Sequence, residues 1–381
     1  MQAHIVVGSN FGDEGKGKTV DYLTHELRNS IVVRANGGSQ VGHTVQVGNE
    51  RHVFNHFGCG HYNNVPTYFS KYFIANPLKF FKEMKVIKNH KVYINKDALL
   101  STPYDMMLNQ AQEFARTKRH GSCGMGINET MKRCAIPEFK TTIASIDSNF
   151  AKTFERLYNE YFIPEFKRRN LEMFECNVSN MIANFAYDCE NFLNHVEIVE
   201  DDFLMKFDNV VFENGQGLLL DQDHPYFPYV THSKTGVHNP VELLQGLGMT
   251  EAEVYYVTRT YLTKHGTGPL EHEVDHKIYD GIVDETNIPN EFQGTLRYAP
   301  FNQYLFSYNV AADIRSVSDF NLNANVVITC IDQLPETARY IDNDGRIIDV
   351  DKNDLIGAID DIMFDKMFLS NGPDRYNMEK S

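Results

Sequence analysis

The chain has 381 residues, 42% of them hydrophobic, with 25 glycines and 13 prolines, which is enough to bury one large core or two modest ones. A formal charge of −15 repels nucleic acid and anionic lipid, and no apolar run approaches the roughly 18 residues of a membrane span, so neither is an expected partner. The N-terminus leads into apolar residues without a charged n-region, and the six cysteines, Cys59, Cys123, Cys134, Cys176, Cys189 and Cys330, contain no C-x-x-C pair; a cytoplasmic protein with ordinary thiols is expected, without a zinc ribbon or a disulfide framework.

The first predicted element is a strand over 4–7. It is followed by Gly12-Asp13-Glu14-Gly15-Lys16-Gly17-Lys18-Thr19, which fits the phosphate-cradling pattern G-x-x-x-x-G-K-[ST] between a strand and a helix expected to begin near Thr19. Glycines let successive backbone N–H groups turn to an anion, a lysine adds a point charge, and the helix aims its positive end at the same spot. A glycine-rich surface turn leaves the acidic Asp13-Glu14 pair unexplained. Carboxylates repel phosphates unless a divalent cation or a proton transfer requires them, so the loop is expected to do chemistry as well as binding.

A second strand over 31–34 precedes Asn36-Gly37-Gly38-Ser39-Gln40-Val41-Gly42-His43-Thr44, a glycine-rich turn that places His43 at the carboxyl end of a sheet, where open α/β folds bind ligands. A strand over 92–94 comes next, and helical spacing dominates about 104–199. Strand 209–212 ends in Phe212-Glu213-Asn214-Gly215-Gln216-Gly217, where glycines around an amide suggest close ligand approach; a tight turn with a satisfied glutamine is the plain alternative. Further strands over 254–257 and 326–329 follow, the second leading into Thr329-Cys330-Ile331-Asp332. Asp332 can accept from guanine N1–H and the 2-amino group, or cap a helix. Residues 337–354 read as a hairpin. Near-continuous apolar strands with long connections predict an α/β fold, a mostly parallel sheet covered by helices on both faces. No repeat and no linker divides the chain, so a single composite domain over 1–381 is expected, with 104–199 as its helical excursion.

In order, GDEGKGKT, GG-x-x-x-GHT, E-x-x-QG, D-x-DH, PYVT, HGTGP from His265 to Pro269, NEF with a Gly-Thr-x-Arg loop, T-x-x-D, and NGPDR from Asn371 to Arg375 resemble the adenylosuccinate synthetase family along essentially the whole chain. The resemblance implies a P-loop-GTPase-like fold and a GTP-dependent ligation of L-aspartate nitrogen to C6 of a 6-oxopurine 5′-monophosphate, through phosphorylation of O6. It places Asp13 as the base for the N1 proton, His43 as the acid that stabilises the migrating phosphoryl group, Lys16 as a phosphate-neutralising catalytic residue, and Gln216 against the purine near O6. Asp13 and the Gly42 carbonyl match Mg²⁺ positions. Gly12, Gly15, Gly17, Lys18, Thr19, Gly42, Thr44, Asp332, Gly372 and Pro373 match the GTP site, with ATP the less favoured donor. Ser39, Gln40, Ser122, Cys123, Arg133 and Thr231 match the acceptor nucleotide's site, and Thr295 with Arg297 the aspartate carboxylate clamp.

Several positions depart from cellular members of the family. Ser39-Gln40 stand where many have His-Asn, Cys123 replaces a threonine, the aspartate loop keeps one arginine, and Cys330 replaces a lysine beside the guanine aspartate. These changes resemble the compact archaeal and bacteriophage branch. The phage enzymes act on dGMP, so dGMP is the favoured acceptor, and the host cytoplasm the location if the chain is phage-encoded; IMP is the alternative. Many phage-branch members lack the catalytic aspartate, whereas this chain keeps Asp13. A homodimer is expected, because the family completes its acceptor site with an arginine from a second subunit, for which Arg133 is the candidate. A regulatory P-loop GTPase would leave Asp13 and the GGSQVGHT turn without a role, and a silent homologue would have lost Asp13 or His43.

Overall fold

The structure, a computed structural model, describes residues 1–87, 90–117, 122–173, 175–284, 286–287, 294–360 and 364–381. Its frame is a ten-stranded sheet of β1 (Gln2–Gly8), β2 (Ser30–Arg34), β3 (Thr67–Phe69), β4 (Val92–Ile94), β5 (Glu197–Ile198), β6 (Asn209–Glu213), β7 (Glu251–Arg259), β8 (Asn321–Thr329), β9 (Lys366–Ser370) and β10 (Met378–Lys380). The spatial order is β10-β9-β8-β7-β1-β6-β2-β3-β4-β5. Every pairing is parallel except that of β9 with the edge strand β10.

Alternation along these strands splits the core in two. Val6, Val32, Val211, Val257 and Val327 face one side, and Ile5, Val7, Ile31, Val33, Val210, Phe212, Val254, Tyr256, Val326 and Ile328 the other. Both sets are buried, which is why these strands read as continuous apolar runs in the sequence. The first side is covered by the helical excursion, whose helices Pro103–Phe114, Phe150–Leu157 and Val178–Leu193 bring Tyr104, Phe150, Phe154, Phe185 and Phe192 onto it. The excursion closes into β5 at the sheet edge.

The hairpin expected over 337–354 forms between Thr337–Ile341 and Ile347–Asp351. A helix, Lys352–Ile359, begins before the expected end, capped by the Asp351 side chain. The hairpin belongs to a second, four-stranded sheet with Tyr261–Lys264 and Arg297–Asn302. No helix among the described residues is long and apolar enough to cross a membrane.

Candidate active site

The strand-to-helix loop after β1 is bent by its glycines. Gly12 (φ 93°), Asp13 (φ 62°) and Gly15 (φ 102°) are left-handed, a region that glycine enters without cost and aspartate tolerates. With Gly15 at its N-cap, helix α1 spans Lys16–Glu26. It thus starts at Lys16, three residues before the expected Thr19, so both lysines of the motif belong to its first turn, where backbone N–H groups have no intrahelical partner.

The two acidic residues of the loop face different ways. Glu14 folds back: Oε1 accepts from the Asn10 and Gly12 backbone N–H groups at 3.0 and 2.8 Å, and Oε2 pairs with Lys16 Nζ at 2.9 Å. It braces the loop from inside, its charge balanced by Lys16. Asp13 keeps a side chain 30% exposed on the wall of a cavity of about 390 Å³. Burial pushes its carboxyl up, but the hydrogen bond and charge of His265, with Arg259 and Lys16, outweigh that and hold it below its ordinary value. The base position is therefore ionised at neutral pH.

That cavity gathers Asp13, Gly15, Lys16, Gly17, Lys18, Gly42, His43, Thr44, Asp332, Gly372 and Pro373, residues spread across the chain. Lys18 Nζ donates to the Gly372 carbonyl at 2.7 Å and to Ser370 Oγ, tying the phosphate loop to the C-terminal segment. Burial lowers its pKa to about 8, leaving a cation ready for an anion. Asp13 and Gly42 offer hard oxygen donors on the same wall as the two lysines, a set that fits Mg²⁺ bridged to phosphate. Thr19 and Gly12 are not among the walls. Thr19 is buried with its hydroxyl on the Gly15 carbonyl, and Gly12 packs against the backbone of Gln216.

His43 begins a short strand, His43–Val47, paired with Glu50–Phe54. Its Nδ1 lies 2.6 Å from Glu213 Oε1 at the end of β6. Glu213 is fully buried and also meets Arg34 at 3.4 Å, the Cys59 backbone N–H at 2.8 Å and Cys59 Sγ at 3.1 Å. Burial pushes its carboxyl up, yet Arg34 and His43 win and hold it at about 2. The carboxylate fixes the His43 tautomer and leaves Nε2 for a ligand, as in carboxylate–imidazole pairs generally. Burial lowers the His43 pKa against the pull of Glu213. Sequence reading gave Glu213 no role; its one signal was an acidic residue ending an otherwise apolar strand.

Beside this cavity, the turn at 36–41 packs on the turn at 214–217. Asn36 Oδ1 accepts from Gly215 N–H at 2.7 Å and Asn36 Nδ2 donates to the Gly215 carbonyl at 3.1 Å. Gly37 (φ 63°) sits where a Cβ would come within 2.8 Å of Gln40 Nε2 and 3.6 Å of Gln216 Oε1. Among the described residues, Ser39 Oγ, both amide atoms of Gln40 and Gln216 Oε1 are buried without a hydrogen-bond partner. Protein interiors avoid such atoms, so three neighbouring residues with orphaned groups mark a place prepared for a polar ligand.

The remaining expected site residues lie apart from the cavity walls. Ser122 Oγ donates to Asn109 Oδ1 at 3.0 Å, while Cys123 is half-buried; Gly121, before them, is outside the described residues. Thr231 is half-buried, its backbone N–H on the Leu220 carbonyl. Thr295 is exposed. The Arg297 fork already holds the Glu273 carboxylate, with Nε to Oε1 at 2.7 Å, while Nη1 donates to the Gly266 and Gly268 carbonyls at 2.9 and 3.0 Å. Gln293, Asn290, Glu291 and Phe292 of the same loop are outside the described residues. Arg133 requires a correction. It is fully buried, its guanidinium held by Asp105 at 2.9 and 3.0 Å, by the Leu100 and Phe139 carbonyls and by Thr141 Oγ1. A saturated internal cation cannot reach into another subunit, so Arg133 is a structural ion pair.

A model of the adenylosuccinate synthetase family matches residues 5–351. An adenylosuccinate synthetase of Clostridium botulinum type A is 30% identical over 364 residues, which cover 92% of this chain and 83% of the relative. Among solved structures, fully ligated adenylosuccinate synthetase from Plasmodium falciparum superposes with a TM-score of 0.80 at 18% identity, over 100% of both chains. The cyanophage S-2L succinoaminodeoxyadenylate synthetase, bound to dGMP and to dATP as an energy donor, gives 0.65 at 14% identity, over 100% of this chain and 95% of that one. At these identities the structural likenesses are of fold.

Proposed function

The chain belongs to the adenylosuccinate synthetase family, GTP-dependent C–N ligases, and we propose that within it the acceptor is dGMP, converted with L-aspartate to its 6-succinylamino derivative. The observation that carries the choice of acceptor is the Gln40 amide, with both ends buried and unpartnered; it and the likewise unpartnered Gln216 Oε1 both border Gly37. A 2-aminopurine brings one more N–H donor than hypoxanthine, and Gln40 Oε1 is an acceptor in want of one. The cyanophage structure contains dGMP, but likeness of fold alone does not choose between acceptors. IMP would leave the Gln40 oxygen unpaired.

Asp13 takes the N1 proton, which makes O6 of the lactam a nucleophile toward the γ-phosphorus of GTP. His43, anchored at Nδ1 by Glu213, meets the phosphoryl group through Nε2, and the incoming negative charge favours its protonated form. Lys16 and Lys18, with the N–H groups that open α1, hold phosphate oxygens. Mg²⁺ at Asp13 and Gly42 would neutralise further phosphate charge. The neutral amine of aspartate then attacks C6, the C6–O6 bond breaks, O6 leaves with inorganic phosphate, and one proton of the amine passes to solvent. Asp332 accepts from guanine, which sets GTP ahead of ATP. The chain is proposed to work as a homodimer. A residue other than Arg133 must then be the one that crosses.

Competition between dGMP and IMP at equal concentrations, with GTP, aspartate and Mg²⁺, tests the acceptor. The aminated dGMP product should predominate. Predominant adenylosuccinate would sink the dGMP reading and make the chain an IMP-specific member of its family.

A further inference from the structure

His265, in the loop after Tyr261–Lys264, is tied to the phosphate loop. Its Nε2 lies 3.2 Å from Asp13 Oδ2 and 2.9 Å from Asn287 Oδ1. Both neighbours are acceptors, so Nε2 carries the proton; it hydrogen-bonds Asn287 Oδ1 and faces the Asp13 carboxylate at ion-pair distance. Among the described residues Nδ1 is buried without a partner. Its ring contacts among the described residues are thus the Asp13 carboxylate and Asn287. The contacts continue in a closed ring. Asn287 Nδ2 donates to Asp284 Oδ2 at 2.8 Å, Arg259 Nη2 reaches the same oxygen at 3.3 Å, and Arg259 Nε returns to the backbone carbonyl of Asp13 at 2.5 Å.

The side chain and the backbone of Asp13 are thus gripped from two sides, at a residue that holds a left-handed φ of 62°. No hydrogen bond from a described residue reaches the second carboxylate oxygen, Oδ1. We infer that His265 is a positioning residue for the reaction: by holding Oδ2 it turns Oδ1 of Asp13 toward the N1–H of the bound purine. This rests on the assignment of Asp13 as the base. A near-attack geometry depends on such restraint, because a carboxylate free to rotate spends its time off the proton's line.

The test uses His265→Leu, His265→Gln and Asp13→Asn, singly and with His265→Leu added to Asp13→Asn, in single-turnover product formation on the preferred acceptor, with GDP binding measured by calorimetry. His265→Leu should lower the rate about tenfold or more, His265→Gln should recover most of that loss through its own N–H, and GDP affinity should stay within about twofold. In the Asp13→Asn background the leucine substitution should cost nothing further, because its target is gone. An equal loss in both backgrounds, or no loss in either, overturns the inference while leaving Asp13 as the base. A near-native rate for Asp13→Asn removes the base assignment itself, and His265's role with it.

Discussion

At the scale of single residues, the charges of the site are anchored by neighbouring side chains, as Asp13 is by His265 and His43 by Glu213. Asp13→Ala and His43→Ala should each lower turnover by about 100-fold or more with the fold intact, as steady-state rates and circular dichroism would record. Glu213 acts one step behind His43. Its carboxyl, ordinarily at 4.5, is held at about 2, so its contribution to stability is complete above about pH 4.5 and is lost as pH falls toward 2, by about 3 kcal/mol in all. The stability gap between the native chain and Glu213→Gln should therefore narrow between about pH 5 and about pH 3, measured by urea unfolding. A gap that widened there would mean the carboxyl is not depressed. Arg133→Ala should destabilise by about 3–5 kcal/mol, because Asp105 would be left as an unpaired buried charge; a thermal shift of a degree or less would contradict its internal role. Asp332→Asn should erode the preference for GTP over ATP in kcat/KM.

At the scale of elements, strand ends and turns press so closely that glycines decide what fits. A Cβ on Gly8, at the end of β1, would lie 2.5 Å from Glu14 Oε2, 2.6 Å from Lys16 Nζ and 2.7 Å from the Gln216 carbonyl oxygen. Gly8→Ala should thus cost about 1–3 kcal/mol and weaken GTP binding by moving the loop; unchanged affinity and stability would show that the loop yields freely. Five long apolar strands and the short Val92–Ile94 were legible in the sequence because burial on both faces demands unbroken apolar runs. Strands Thr67–Phe69 and Glu197–Ile198 were not, since neither offers the β-branched apolar run that marks the equally short Val92–Ile94. Tyr261–Lys264 and Arg297–Asn302 escaped because lysine, arginine and a proline interrupt them. The phosphate loop was legible because its chemistry is local. The pairing of His43 with Glu213, 170 residues apart, and of His265 with Asp13 exists only once the sheet has brought its strand ends together. The saturation of Arg133 was likewise invisible, since a lone arginine in a helical segment reads the same whether it faces solvent or the core.

At the scale of the whole molecule, the parallel sheet sets the carboxyl ends of β1, β2, β6, β7 and β8 along one edge, and the segments that follow them supply the site: Asp13 and Lys16 after β1, His43 after β2, Gln216 after β6, Asp332 after β8, and His265 beyond β7 and the strand Tyr261–Lys264. On the proposed reading such a site would hold two nucleotides side by side, the phosphate donor in the cavity and the acceptor at the orphaned amides, which a switch GTPase has no need to do. In the proposed reaction the γ-phosphoryl group of GTP goes to O6 of the acceptor before the amine arrives. The direct measurement uses acceptor nucleotide labelled with oxygen-18 at O6, turned over with GTP and aspartate, and reads the label in the released inorganic phosphate. The account predicts one labelled oxygen per phosphate and none retained in the aminated product. Phosphate that takes its new oxygen from water instead would show that GTP is merely hydrolysed, and would contradict it.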